Sequence, residues 1–278
     1  MPSRLGSGTD RMLHVRQCGS AGPCIIALHG GPGAPGSMAP VARGLADSFR
    51  VVEAFQRGGG GERLTVARHV ADLHEVMNCY ADDRHPALLG ASWGAMLALA
   101  YAAAHPDATG PLLLVGCGTF DPVARAALQS SIAKRMGERI RARLKDAEQV
   151  EPDRRWKASA EAMTAVYSID LLSSPHDEET FDAQAHHETW EDMLRLQSEG
   201  VYPASFAAIK VPVLMVHGDF DPHPGPLIFN GLRQYLPQID YVELEQCGHY
   251  PWLEKAASGS FFACVRAWLG RHTLRAEA

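Results

Sequence analysis

Two short runs, Cys24-Ile25-Ile26-Ala27-Leu28 and Leu112-Leu113-Leu114-Val115, are apolar at every position rather than at every second one. A strand with one wet face alternates, so continuous runs of this length call for strands covered on both sides. Helical patterns lie between such runs. Val66, Val70, Leu73 and Met77 form one apolar stripe on a helix over about Leu64 to Tyr80. A second helix is expected over Trp93 to Ala104, ending before His105-Pro106 because the residue preceding proline disfavours the helical region. A third spans about Gly259 to Gly270. Strands are expected at Met12–Arg16, Cys24–Leu28, Arg50–Phe55, Ala87–Gly90, Leu112–Gly116, Val213–His217 and Tyr241–Leu244. This alternation predicts an α/β chain with a mostly parallel central sheet flanked by helices.

The rhythm breaks between Asp121 and Ala208, where no strand pattern stands out and Pro152, Pro175 and Pro203 separate helical-looking stretches. A helical cap insertion is therefore expected over 121–208, on a core formed by 1–120 and 209–278. The mixed charges Lys134, Arg135, Glu138, Arg139, Arg141 and Arg143 read as a solvated helix face.

A net charge of −6 and a pI near 6.1 exclude an electrostatic nucleic-acid binder. No run of 18 apolar residues predicts a membrane span. Met1 to Asp10 lack the apolar core of a signal peptide. Cys18, Cys24, Cys79, Cys117, Cys247 and Cys264 are scattered without a CxxC pair, as expected of reduced thiols in a cytoplasmic protein. The expected partner is a small molecule or short peptide; oligomeric state leaves no mark in the sequence.

The strongest chemical signal is Gly90-Ala91-Ser92-Trp93-Gly94, a G-x-S-x-G pattern between a buried-strand run and a helix. A serine on so sharp a turn sits in strained backbone, and its neighbours two residues away must be small. At a helix N-terminus, Ser92 also meets backbone N–H groups that favour developing negative charge. A serine hydroxyl needs a base, itself oriented by a third group, and on such sheets the order is serine, acid, histidine. Downstream, Val213–His217 runs into Gly218-Asp219-Phe220-Asp221, and Tyr241–Leu244 into Gly248-His249. His249 is the expected base and Asp221 the orienting acid, with Asp219 a turn residue and His217 structural. The loop His29-Gly30-Gly31-Pro32-Gly33 follows another strand, so the N–H groups of Gly31 and Trp93 are the expected oxyanion donors.

The same glycines admit a rival. Gly31-Pro32-Gly33-Ala34-Pro35-Gly36 matches G-x-G-x-x-G, with Glu53 where a ribose-binding acid belongs, as in a dinucleotide-binding oxidoreductase. Pro32 and Pro35 remove N–H donors such a loop needs, and the reading leaves Ser92, Asp221 and His249 without a role. His186-His187-Glu188 with Glu191 is not an HExxH pattern. Neither a cofactor nor a metal is expected.

On these residues the chain resembles the α/β-hydrolases, and more narrowly the proline iminopeptidase group. The narrower likeness rests on His-Gly-Gly-Pro-Gly at 29–33, Gly-x-Ser-Trp-Gly at 90–94, Gln56-Arg57-Gly58-Gly59-Gly60, Gly218-x-x-Asp221 and Gly248-His249. It covers about residues 12–118 and 209–270. Phe55 stands where the family has Asp, and Glu62 where it has Ser. The resemblance implies an α/β-hydrolase fold and a serine hydrolase cleaving a small amide or ester through an acyl-enzyme. It further implies an aminopeptidase for proline, with cap glutamates holding the substrate amine; Glu188, Glu191 and Glu199 are the candidates. The alternative is a carboxylesterase for small esters. A non-catalytic ligand-binding homologue is a more remote reading.

Overall fold

The computed structural model describes residues 3–5, 13–80, 85–176 and 181–273. Met12, the expected start of the first strand, lies outside them, as do most of Met1 to Asp10.

Among the described residues eight strands form one sheet: β1 (Ser3–Leu5), β2 (Leu13–Cys18), β3 (Cys24–Leu28), β4 (Arg50–Phe55), β5 (Ala87–Ala91), β6 (Leu112–Val115), β7 (Val213–Gly218) and β8 (Ile239–Leu244). Their spatial order is β1-β2-β4-β3-β5-β6-β7-β8. From β4 to β8 all neighbours are parallel; β2 joins β4, and β1 joins β2, antiparallel. The chain leaves β3 for β4 on one side and returns to β5 on the other, which opens a crevice beyond the C-terminal ends of β3 and β5.

The continuous apolar runs are accounted for by two cores, one on each face. Ile26, Leu28, Leu88, Leu112 and Leu114 pack on α2 (Val66–Tyr80) and α3 (Trp93–Ala104). Their neighbours Ile25, Ala27, Leu89, Leu113 and Val115 pack on α1 (Ala39–Leu45) and α9 (Ser258–Thr273). The predicted stripe Val66, Val70, Leu73 and Met77 is buried along α2. Trp93 to Ala102 is buried on every side, so α3 is the sheet's central supporting helix.

Between β6 and β7 stand α4 (Pro122–Arg135), α5 (Glu138–Glu148), α6 (Pro152–Tyr167) and α7 (Ala183–Ser198), and among the described residues of 121–208 none joins the sheet. Glu138, Arg139, Arg141 and Arg143 are exposed as expected. Arg135 is not part of that face: its Nη1 donates to the Val166 carbonyl at 2.9 Å and its guanidinium lies 3.9 Å from the Phe220 ring centre. A last helix, α8 (Gly225–Leu232), joins β7 to β8. Among the described residues no helix is long and apolar enough to cross a membrane.

Candidate active site

β5 ends at Ala91 and α3 begins at Trp93, so Ser92 alone makes the turn, with φ 54° and ψ −117°. A residue with a Cβ avoids this region unless the surroundings enforce it. Here they do. The Ser92 N–H donates to the Val115 carbonyl at 2.8 Å. A Cβ on Gly90 would sit 2.2 Å from the Gly94 carbonyl oxygen, and one on Gly94 2.1 Å from that of Leu28. The two glycines let strand, turn and helix close up, and they press the turn against the end of β3. Trp93 is the first residue of α3, so its N–H has no acceptor within the helix.

The loop after β3 is wired to that helix through Gln56. His29 Nε2 accepts from the Gln56 N–H at 3.1 Å, so its Nδ1 carries the proton and donates to the Gly30 carbonyl at 3.1 Å. Burial lowers the His29 pKa to about 4 and keeps the ring neutral in that tautomer. The Gln56 amide donates to the His29 carbonyl at 2.9 Å and accepts from Trp93 Nε1 at 2.7 Å. Arg57 meets Asp72 of α2 through two bonds of 2.8 Å. These contacts give Gln56-Arg57 a structural purpose beside the loop that carries Gly31. Glu53 is no ribose acceptor: it is buried, accepts from the Met38 N–H at 3.0 Å and lies 3.2 Å from Arg16.

Past β7, the two aspartates separate by role. Asp219 accepts from the Gln246 and Cys247 N–H groups at 3.1 and 3.0 Å, tying the β7 and β8 loops together. Asp221 Oδ2 lies 2.7 Å from His249 Nδ1. A carboxylate only accepts, so His249 Nδ1 carries the proton and Nε2 is left with a lone pair. The Asp221 side chain is wholly buried. Burial alone would raise its pKa, yet His249 and His223 beside it hold it well below the usual carboxylate range. Gly116, at φ +55°, makes room for the pair: a Cβ there would lie 2.9 Å from His249 Nδ1 and 3.1 Å from Asp221 Oδ2.

The segment after α6 meets the histidine loop. The His249 N–H donates to the Tyr167 carbonyl at 2.7 Å. Buried Glu254 accepts from Gly248 at 3.0 Å and from Ile169 and Asp170 at 2.9 and 3.0 Å. Sequence reasoning missed Gly116, Glu254 and His223; the signals available were a glycine ending one buried run and an acid and a histidine close to the named triad.

Gly31, Ser92, Trp93 and His249 line one cavity of about 400 Å³, together with Trp156 and Tyr167 of α6 among others. None of its described lining residues is acidic, and none is Lys or Arg. The glutamates expected to hold a substrate amine are elsewhere. Glu188 accepts from the Leu64 N–H and the Gln184 amide, both at 2.8 Å. Glu191 pairs with Arg63, and Glu199 with Arg195 at 2.7 Å. From α7 the cavity is reached instead by His186 and Trp190, one turn apart on another face of the helix. Among the described residues, the one trio of side chains close enough to share a metal ion is Asp221, His223 and His249, already joined by hydrogen bonds.

Comparison with known proteins agrees with this architecture. A family model described as alpha/beta hydrolase fold matches residues 23–256. A proline iminopeptidase of Xylella fastidiosa is 35% identical over 115 residues, which span 38% of this chain and only 36% of that protein. One from Lactobacillus helveticus is 23% identical over 90% of both chains. The crystal structure of a Mycobacterium smegmatis proline iminopeptidase superposes over 100% of both chains with a TM-score of 0.66 at 20% identity, a likeness of fold.

Proposed function

The chain belongs to the alpha/beta hydrolase fold family, and we propose that it is a serine hydrolase cleaving a small amide or ester through an acyl-enzyme. The observation that carries this is the Asp221–His249 hydrogen bond of 2.7 Å on the same cavity as Ser92, itself at φ 54°. In this reading His249 Nε2 takes the Ser92 proton as Oγ attacks the substrate carbonyl, and the Trp93 and Gly31 N–H groups receive the oxyanion. The proton passes from His249 to the leaving group. A water, deprotonated by His249, then attacks the acyl-enzyme and restores Ser92. Asp221 holds the imidazole tautomer and stabilises the imidazolium.

For the substrate, the apolar, aromatic lining without a described carboxylate supports an uncharged acyl group, as in a small carboxylic ester. The proline iminopeptidase reading is favoured by the curated relatives, whose printed name it is. An amino-terminal proline is cationic at neutral pH, and no described acid lines the cavity to meet it. Measuring kcat/KM for short- and long-chain nitrophenyl esters against a proline anilide, with wild type and S92A, tests both. Turnover of either class that disappears in S92A is expected, with esters ahead. Preference for the anilide transfers the assignment to the aminopeptidase; turnover unchanged in S92A defeats the hydrolase reading.

A further inference from the structure

Asp221 serves two imidazoles, not one. Oδ2 faces His249 Nδ1 at 2.7 Å, while Oδ1 accepts from the His223 N–H at 2.9 Å and lies 3.0 Å from His223 Nδ1. The carboxylate only accepts, so His223 Nδ1 also carries a proton and Nε2 its lone pair. The two rings stack, with centres 4.7 Å apart and planes 19° from parallel, and both line the cavity.

We propose that His223 is a positioning residue for the Ser92 reaction: its Nδ1–H fixes the Asp221 carboxylate, and its ring, once protonated, opposes formation of the stacked His249 imidazolium. The inference rests on the serine hydrolase reading. Without the His223 side chain, the His223 backbone N–H is the described donor left to Oδ1, and a buried carboxylate short of a partner turns to find another. With the ring neutral, His249 can take the serine proton beside an uncharged neighbour. With the ring cationic, two positive imidazoles would share one carboxylate at stacking distance, a like-charge arrangement.

Among the described residues, five further groups that bear on the carboxylate are held away from a change of charge near neutral pH. His217 of β7 is lowered to about 4 by burial. Burial pushes Tyr167 of α6 up to about 12, and Tyr241 of β8 and Cys247 of the following loop up as well. Arg135 of α4 is a fixed cation that acts on Asp221 at every pH of interest.

The test is the rate at which a fluorophosphonate labels Ser92 as a function of pH, in wild type, H223A and H223N, with thermal unfolding of each variant as the control for folding. Labelling forms the Ser92 Oγ–phosphorus bond, expels fluoride and passes the serine proton to His249, so it reads the base directly. Asn places an N–H donor close to where histidine Nδ1 stands but does not titrate. H223A is expected to label about ten- to a hundredfold more slowly at pH 8. H223N should recover most of that loss. Its acid limb should differ from that of wild type, because asparagine cannot place a second positive charge beside the His249 imidazolium. Wild-type rate and pH profile in H223A overturn the proposal, as does H223N as slow as a folded H223A. Should H223A not fold, an H223N acid limb identical to wild type overturns it. A wild-type protein that takes no adduct overturns the hydrolase reading, and this inference with it.

Discussion

At the scale of single residues, the site is made as much by absent side chains as by present ones. Gly90 and Gly94 admit the Ser92 turn, and Gly116 admits the Asp221–His249 pair. Gly116→Ala is therefore expected to place a methyl group 2.9 Å from His249 Nδ1 and push the imidazole aside. Turnover should fall about a hundredfold while the substrate KM moves little, since displacement of a reacting group by an ångström costs that order of rate. Steady-state kinetics on the folded variant check this; wild-type kcat in Gly116→Ala would mean that the pair tolerates displacement. The serine, the acid and the histidine stood out as candidates in the sequence because each follows a strand in an order the proposed chemistry requires, and the structure places Asp221 beside His249 and His249 on one cavity with Ser92. Gly116 was not. It reads as an ordinary end to a buried run, and the contact that makes it necessary comes from loops more than a hundred residues away in sequence.

At the scale of elements, the long periodic segments were readable and the short ones were not. The stripe on α2 and the all-buried α3 announce themselves over three or more turns. By contrast α1 has seven residues and α8 eight, too few for a period to stand out. β1 is three residues long. The stretch between β6 and β7 was readable as helical because strand signals vanish there, yet its charged residues were harder to place. Arg135 turned out to brace the Phe220 loop, and the α7 glutamates bond to Leu64, Gln184 and Arg63 rather than to the cavity. Glu254 receives N–H groups from both the histidine loop and the insertion. Glu254→Gln keeps the volume but offers an NH₂ group in place of one carboxylate oxygen. It is expected to lower stability by about 1–3 kcal/mol in urea unfolding and to reduce kcat, because a buried N–H loses its acceptor. No change in either would show that the insertion is not held through this carboxylate.

At the scale of the whole molecule, three buried histidines set the pH dependence of folding. Burial lowers His29, His69 and His217 each to about 4 from an ordinary value near 6.5. The unfolded chain therefore binds more protons than the folded one between about pH 6.5 and 4, and stability rises with pH across that window. Read downward, unfolding becomes easier as pH drops from 6.5, with up to three extra protons taken up on unfolding, and the trend levels off below 4. Asp221, held low in the fold, adds its own loss only below its ordinary carboxylate range, as pH falls toward its depressed folded value. Urea midpoints measured at intervals from pH 7.5 to 4 should trace this decline. A flat profile between 6.5 and 4 would show that these rings are accessible to protons in the folded state.

In the proposed reaction Ser92 is a nucleophile activated by His249. Intact-mass and peptide mapping after treatment with a fluorophosphonate test it most directly. The wild-type protein should gain one adduct, located on Ser92; S92A should gain none, and H249A should label slower by orders of magnitude. An unlabelled wild type, or S92A labelled as fast as wild type, would rule out that role for Ser92.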